Sequence, residues 1–128
     1  MIIGLGLDLV EISRVKGLLQ RHGSRALTRF FTAREAAYAD THTRPERHFA
    51  ARIAAKEAAY KALAPGGPEA RGIGWTEIEV VSSDGVGPTL LFHGRAARVA
   101  AVLGVGSCLL TLTHTDTTAA AVVVLQRP

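Results

Sequence analysis

Apolar residues recur along the first half of the chain at the intervals of regular secondary structure. This pattern predicts one strand, at 2–8, and three helices, at 11–23, 32–40 and 47–63. Gly23 is expected to end the first helix. Thr32 followed by Glu35 three residues later has the spacing of a capping box, which indicates the start of the second helix. The polar residues 41–48, which include a proline, are expected to form a mobile loop.

Alternating apolar and polar positions predominate in the second half. The pattern predicts strands at 76–82 and 88–94, a helix at 95–104, and strands at 108–114 and 119–126. The stretches SDGVG and TDTT separate the strands of two hairpins. Because no repeat or linker divides the chain, we predict a single α+β domain over residues 1–128, in which a mostly antiparallel sheet packs against helices.

The helix predicted at 47–63 carries its charges between two apolar arcs. One arc is bulky and the other consists of alanines, a pattern typical of a buried helix. Glu57 and Lys61 share one seam between the arcs, and Arg52 and Lys56 share the other. A solvated Glu57–Lys61 pair, worth about 0.3–0.5 kcal/mol, is the ordinary interpretation. However, charges flanked by core residues are poorly placed for full solvation, so a functional role for this pair stays open.

The first predicted strand, within GLGLDLVEI, places Gly4, Gly6 and Asp8 on one face. Glycine inside a strand often marks the close approach of a ligand or of another backbone. Asp8 and Glu11 have the spacing of a capping box for the first helix. Alternatively, Asp8 lies in a recess cleared by the glycines and binds a hard cation through oxygen. The second interpretation requires a partner carboxylate.

Composition narrows the classes of partner. The chain has a net charge of +4, which favours polyanionic partners such as nucleic acid, a phosphate-rich cofactor or an acidic protein. Only 5% of its residues are aromatic, too few for a surface that stacks bases, so we expect no nucleic acid. The longest apolar run, AAAVVVL, is shorter than the roughly 20 residues that cross a bilayer. We therefore expect no membrane partner and a cytoplasmic location.

Cys108 and His114 lie on the same face of the strand predicted at 108–114. Cys108 shares this face with leucines, so we interpret it as a buried core thiol rather than a nucleophile. His114 ends the strand, where a histidine at the edge of the core is the ordinary interpretation. The other histidines lack metal-ligand spacing and no cysteine pair is present, which argues against zinc.

Three motifs together give the chain a family resemblance. They are GLGLDLVEI, FAARIAAKEAAYKAL and LTLTHTDTTAAAVVVL, in this order. With them the chain resembles the holo-acyl carrier protein synthases, the short 4′-phosphopantetheinyl transferases. The R-x-A-A-K-E-A-x-x-K core is the most specific part, and the resemblance covers nearly the whole chain.

The resemblance implies an activity and assigns roles to residues. The family transfers 4′-phosphopantetheine from coenzyme A to a serine of apo acyl carrier protein and releases adenosine 3′,5′-bisphosphate, in support of fatty acid biosynthesis. By resemblance, Asp8 and Glu57 bind Mg²⁺, which also contacts the coenzyme A pyrophosphate. Lys61 neutralises the same phosphates, Arg52 contributes to the 3′-phosphate pocket, and His114 lies at the edge of the coenzyme site. The glycines before Asp8 are expected to keep its approach clear for metal and pyrophosphate.

The resemblance also implies protein partners. Arg14 matches a basic position that docks the carrier protein, and Arg21, seven residues later, shares its outward helix face. A homotrimer with three sites at its interfaces is expected. The group that accepts the serine proton stays open between Glu57, acting through a metal-bound water, and His114. The rival functions are an RNA-binding module without catalysis and a coenzyme A-binding protein without transfer.

Overall fold

The structure, a computed structural model, describes residues 1–83 and 85–128. Its strands are β1 (Ile2–Glu11), β2 (Ile78–Ser83), β3 (Val86–Phe92), β4 (Ser107–His114) and β5 (Thr118–Gln126). Its helices are α1 (Ile12–His22), α2 (Ser24–Phe30), α3 (Ala33–Asp40), α4 (Pro45–Ala62), α5 (Pro68–Arg71) and α6 (Gly94–Leu103). Single 3₁₀ turns at Ala64–Gly66 and Trp75–Glu77 connect α4 to α5 and α5 to β2.

The strands form antiparallel sheets, as the sequence predicts. β1, β5 and β4 lie in that order in a three-stranded sheet, and β2 pairs with β3 in a hairpin that lies against β4. Helix α4 crosses the three-stranded sheet and contacts β1 and β5 most extensively. The single-domain α+β architecture with an antiparallel sheet packed against helices is confirmed. Within the described part of the chain, no helix is long and apolar enough to cross a membrane.

The two glycines of β1 allow the backbone of α4 to lie directly on the sheet. A Cβ on Gly4 would lie 2.2 Å from the carbonyl oxygen of Ala62, and one on Gly6 would lie 1.7 Å from that of Ala58. The alanines of α4 that face the sheet are buried at 0–1% exposure, at positions Ala54, Ala55, Ala58, Ala59 and Ala62. The expectation that the glycines clear a path for metal and pyrophosphate is therefore wrong, because the space they leave is filled by the helix.

The start of α1 decides between the two interpretations of Asp8. β1 continues to Glu11, three residues beyond the predicted end, and Asp8 lies inside the strand opposite Ala121. Glu11 occupies the N-cap position and makes no side-chain hydrogen bond to the helix. The capping-box interpretation of Asp8 and Glu11 is therefore wrong. In contrast, the capping box of α3 is confirmed, with Thr32 and Glu35 bonded reciprocally.

Other element boundaries differ from the prediction for local reasons. α4 begins at Pro45, inside the segment expected to be a loop, because proline is well tolerated in the first turn of a helix. α2 was not predicted, since its seven residues bury only Ala26 and carry no extended apolar period. The turn predicted between β2 and β3 includes residue 84, which lies outside the described residues.

The face of the sheet opposite α4 is apolar and open. The side chains of Leu5, Leu7 and Leu9 are 66%, 58% and 67% exposed. In the strand register, Leu5 lies level with Val124 and Leu109, so the apolar surface continues from β1 across β5 to β4. A contiguous exposed apolar surface of this kind is typical of a protein–protein interface.

Candidate active site

Asp8, Glu57 and Lys61 meet where α4 crosses β1. Asp8 projects from the sheet face that packs against α4, and Glu57 and Lys61 lie one turn apart on that helix. The Lys61 ammonium donates to Asp8 Oδ1 and to the Leu7 carbonyl oxygen, both at 3.0 Å. Lys61 thus pairs with Asp8 across the two elements, which replaces the solvated Glu57–Lys61 pair of the ordinary interpretation.

The two carboxyl groups of this cluster lie side by side. Burial raises the pKa of Glu57, and the neighbouring Asp8 carboxyl raises it further, while Arg14 and Lys61 oppose the shift. Asp8 Oδ2 is buried without a hydrogen-bond partner among the described residues. An unpartnered buried carboxylate oxygen is costly, and a divalent cation between the two carboxyl groups would remove that cost.

The donor set of this pair suits Mg²⁺. Magnesium prefers oxygen ligands and is usually bound through one or two carboxylates, with water and substrate phosphates completing its shell. Within residues 1–83 and 85–128, no cluster of three or more His, Cys, Asp or Glu side chains could hold a metal ion. With two carboxylates alone, Asp8 and Glu57 would supply only part of a coordination shell and would leave positions for water or phosphate oxygens.

Two cavities adjoin Glu57. One, of about 400 Å³, has Lys61 and Arg71 at its rim and walls formed by Tyr60, Ile73 and Trp75. The other, of about 250 Å³, lies under α1 and is lined by Arg14, Arg21 and Phe30 as well as Trp75. Glu57 and Trp75 line both cavities. The Glu57 carboxyl group is thus accessible from two cavities. One carries the positive charges of Lys61 and Arg71, which suit phosphate, and the other opens at the basic face of α1.

Arg52 lies on another side of α4 and is almost completely buried, with 2% exposure. Its guanidinium donates to the His48 carbonyl oxygen at 3.3 Å and to Ser82 Oγ at 3.0 Å, and lies 4.4 Å from the ring centroid of Tyr38. Its Nε has no partner among the described residues. Buried arginines are rare unless something pairs with them. A bound anion would give the Arg52 guanidinium such a partner.

Arg52 and His114 line the same cavity of about 220 Å³, separate from those at Glu57. His114 is exposed at the end of β4 rather than satisfied at the core edge. It lies level with Val10 but two strands away from β1, a separation of about 10 Å across the sheet. Within one chain, the predicted site residues therefore form two groups, Asp8 with Glu57 and Lys61, and Arg52 with His114.

The predicted docking residues lie on the open face of α1. Arg14 and Arg21 are exposed, whereas Ile12 and Val15 are buried beneath them. Both arginines border the cavity that reaches Glu57. A partner held by these arginines would therefore lie beside the carboxyl pair.

Cys108 is partly buried and packs against the core. Burial raises the pKa of its thiol to about 11, so the thiolate is scarce at neutral pH. The interpretation as a core thiol agrees with this environment.

Sequence reasoning missed a buried ion pair beneath the site. Lys56 and Glu35 are almost fully buried and lie 2.8 Å apart, and Lys56 also donates to the Trp75 carbonyl oxygen at 2.8 Å. Glu35 additionally accepts from the backbone N–H of Val80 at 2.9 Å. The only sequence signal was the position of Lys56 in a seam between the two apolar arcs of its helix. Through these bonds the pair ties α3 and α4 to the Trp75 segment that walls both cavities.

Comparison with known proteins identifies a family for the chain. Residues 4–123 match the 4′-phosphopantetheinyl transferase superfamily. The holo-[acyl-carrier-protein] synthase of Koribacter versatilis is 42% identical over 126 residues, which cover 98% of this chain and 99% of that relative.

Solved structures of the same kind share the fold. The ACPS–CoA complex of Chronobacterium ammoniagenes is 28% identical with a TM-score of 0.82, and the match covers 98% of this chain and 97% of that one. A holo-(acyl-carrier-protein) synthase from Bacillus anthracis in complex with CoA (3′,5′-ADP) is 28% identical with a TM-score of 0.77, covering 100% and 99% of the two chains.

Proposed function

The chain belongs to the 4′-phosphopantetheinyl transferase superfamily and is a phosphopantetheinyl transferase; from this we propose that it moves 4′-phosphopantetheine from coenzyme A to a serine of apo acyl carrier protein. The products are holo acyl carrier protein and adenosine 3′,5′-bisphosphate. We place this reaction in fatty acid biosynthesis in the cytoplasm, with Mg²⁺ as the metal.

The carboxyl pair of Asp8 and Glu57 is the observation that carries the proposal. Asp8 Oδ2 is buried without a partner and the pKa of Glu57 is raised beside it. Both features fit a site that holds a divalent cation through these two groups. When bound, Mg²⁺ neutralises charge on the coenzyme A pyrophosphate and on the leaving phosphate.

Lys61 supports phosphoryl transfer through its charge. Its ammonium lies 3.0 Å from Asp8 Oδ1 and is 54% exposed at the side chain, so it is free to turn toward an incoming phosphate. Phosphoryl transfer asks the protein mainly for positioning and charge stabilisation, and a lysine beside two carboxylates supplies both. Of the two candidates for acceptor of the serine proton, we assign Glu57 rather than His114, because Glu57 lines the cavity that opens toward α1.

The basic face of α1 suits an acidic carrier protein. Arg14 and Arg21 border the cavity at Glu57, so a carrier docked there would present its serine to the carboxyl pair. Exposed charges of this kind act mainly on association rate and on salt sensitivity.

A homotrimer accounts for the division of the site residues. The 3′-phosphate position proposed for Arg52 and His114 lies in a different cavity from Asp8, Glu57 and Lys61. When one surface of a subunit meets a different surface of its neighbour, the contact is heterologous, and it closes into a ring where the rotation between subunits allows closure. Three such contacts would join the two groups from adjacent subunits, and the exposed apolar sheet face around Leu7 would be covered in the process.

The deciding experiment measures transfer directly. The protein is incubated with apo acyl carrier protein, coenzyme A and Mg²⁺, and the carrier is weighed by mass spectrometry. We expect the carrier to gain one phosphopantetheinyl group, EDTA to stop the reaction, and excess Mg²⁺ to restore it. A carrier of unchanged mass, with coenzyme A still bound by the protein, would favour the binding-only rival.

A further inference from the structure

The cavity that contains Arg52 and His114 has two further cationic or titratable neighbours, Arg47 and His48, on α4. Arg47 is paired with the exposed Asp116 at 3.1 Å. Among the described residues, no other carboxylate lies within ion-pair distance of these four groups. The cavity thus concentrates groups that can carry positive charge and provides little negative charge of its own.

His48 is held in this cavity by aromatic neighbours. Its ring centroid lies 3.9 Å from that of His42 and 5.6 Å from that of Tyr38, in an edge-on contact with the tyrosine. His42 in turn is fixed by its Nδ1, which lies 2.8 Å from the Tyr38 carbonyl oxygen and donates to it. Because Arg52 lies over the Tyr38 ring, the His48 ring and the Arg52 guanidinium both contact the same aromatic residue.

The surroundings keep His48 neutral. Burial is the largest of the effects that together lower the pKa of His48 to about 4, and repulsion from His42, Arg52, His114 and Arg47 follows in that order. Glu35 attracts Arg52 from a longer distance but is itself paired with Lys56. A dianion in the cavity would reverse the sign of the local field, since its charge favours the protonated imidazole.

We propose that His48 is a phosphate ligand of this cavity that takes up a proton when a phosphate monoester dianion binds. The inference rests on the proposed function, because it takes the monoester to be the 3′-phosphate of coenzyme A. Above its free-state pKa the ring is neutral, and the bound dianion raises that pKa. In the pH window between the free and bound values the complex holds more protons than the free protein, so binding weakens as the pH rises through this window. The proton comes from solvent.

The test compares coenzyme A with dephospho-coenzyme A, which lacks only the 3′-phosphate. Isothermal titration calorimetry in two buffers of different ionisation enthalpy gives the number of protons taken up on binding. His48→Phe keeps the aromatic contacts with His42 and Tyr38 but cannot be protonated, and His48→Gln keeps a neutral hydrogen-bonding group. Since the ligand's own phosphate also titrates near pH 6, the result is read as the difference between wild type and variant.

For coenzyme A we expect wild type to take up more protons than either variant and to bind about tenfold more tightly near pH 6, the scale of one charge-assisted hydrogen bond. This advantage should disappear by about pH 8, where the imidazole is neutral in both states. For dephospho-coenzyme A, wild type and variants should agree. His22→Gln removes an exposed imidazole on α1 outside this cavity and should leave proton uptake unchanged.

Equal proton uptake and equal affinity for coenzyme A in wild type and both variants would overturn the inference. If a variant fails to fold, NMR titration of the His48 ring in wild type, with and without coenzyme A, gives the same answer: an unchanged pKa overturns the proposal. Transfer to the carrier is measured in parallel. Failed transfer with His48-dependent binding would count against the proposed function alone, and normal transfer with no His48 effect would count against this inference alone.

Discussion

At the scale of single residues, the two oxygens of Asp8 have different surroundings. Oδ1 accepts a hydrogen bond from Lys61, whereas Oδ2 is buried with no donor among the described residues. The lysine therefore stabilises the negative charge without satisfying the whole group. The ionised form of Glu57 is also disfavoured, because burial and the neighbouring Asp8 carboxyl group raise its pKa. A cation shared by the two carboxyl groups would resolve both problems.

Removing either carboxylate should abolish transfer and leave the fold intact. In Asp8→Asn and Glu57→Gln the side chains keep their size, so thermal unfolding should stay near that of wild type while Mg²⁺-dependent turnover is lost. The matched control is Asp40→Asn, which alters an exposed carboxylate on α3 and should keep full activity. Full turnover in either site variant would remove that residue from the metal site.

Some contacts of these residues could be predicted from the sequence and others could not. The spacing of Glu57 and Lys61 on one helix could be predicted, because α-helical geometry fixes it. That Asp8 lies beside them came only from the family resemblance, because 49 positions of sequence separate Asp8 from Glu57 and no local pattern reports that contact. The Glu35–Lys56 pair could not be predicted for the same reason, since it joins α3 to α4.

At the scale of elements, the crossing of β1 and α4 sets the geometry of the site. Gly4 and Gly6 bring the helix axis close to the strand, and this distance is what allows Lys61 on the helix to reach Asp8 on the strand. The sequence indicated that something approaches these glycines but could not identify it as the backbone of α4. The exposure of the β1 leucines could not be predicted either, because strand alternation gives two faces and does not say which one is covered within the subunit.

Gly6→Ala should destabilise the fold and move Asp8 on β1 away from Lys61 on α4. The added methyl would lie 1.7 Å from the Ala58 carbonyl oxygen, so β1 and α4 must move apart, at a cost of about 1–3 kcal/mol or more. Turnover should fall as Asp8 withdraws from Lys61. Gly87→Ala on β3 is the matched control, because a Cβ there meets nothing within 4 Å. Denaturant unfolding of both variants measures the difference, and equal stabilities would contradict this account of Gly6.

The buried pair beneath the site should be strongly coupled. Lys56→Met leaves the Glu35 carboxylate buried without its cation and should cost about 3–5 kcal/mol of unfolding free energy. Adding Glu35→Gln to the same chain removes the stranded charge and should recover part of that loss. Denaturant unfolding of the two single variants and the double variant gives the coupling energy. Strictly additive losses would mean that the ion pair contributes little.

At the scale of the whole molecule, one chain has separate surfaces of different chemistry. The basic face of α1 opens beside Glu57, the cavity of Arg52 opens at another side of α4, and the apolar face of the sheet is exposed around Leu7. The sequence predicted the basic face from helical spacing alone. The division of the site residues into two groups depends on sheet order, which strand patterns do not determine.

Arg14→Glu should weaken binding of the carrier protein and leave binding of coenzyme A unchanged. Reversing this exposed charge repels an acidic carrier, so the KM for carrier should rise at least about tenfold while that for coenzyme A stays unchanged. Wild-type turnover should also fall with added salt more steeply than the variant's, since salt screens the attraction. Arg98→Glu reverses an exposed charge on α6 and serves as the control. If both KM values shift together, the docking surface lies elsewhere.

The apolar sheet face should mediate assembly into a trimer. Leu7 is 58% exposed and belongs to a surface that includes Leu5, Leu9 and Leu109, so a charge placed there should prevent association. Light scattering of wild type should give three times the 13.5 kDa of one chain, and Leu7→Glu should give a folded monomer without transfer activity. Val102→Glu changes an even more exposed residue, at 86%, on α6, and should remain trimeric and active. The expected loss of activity in the monomer follows from the proposed trimer, in which Arg52 and His114 would reach Asp8 and Glu57 from a neighbouring subunit. A wild-type monomer with full activity would contradict the trimer and require one chain to complete the site alone.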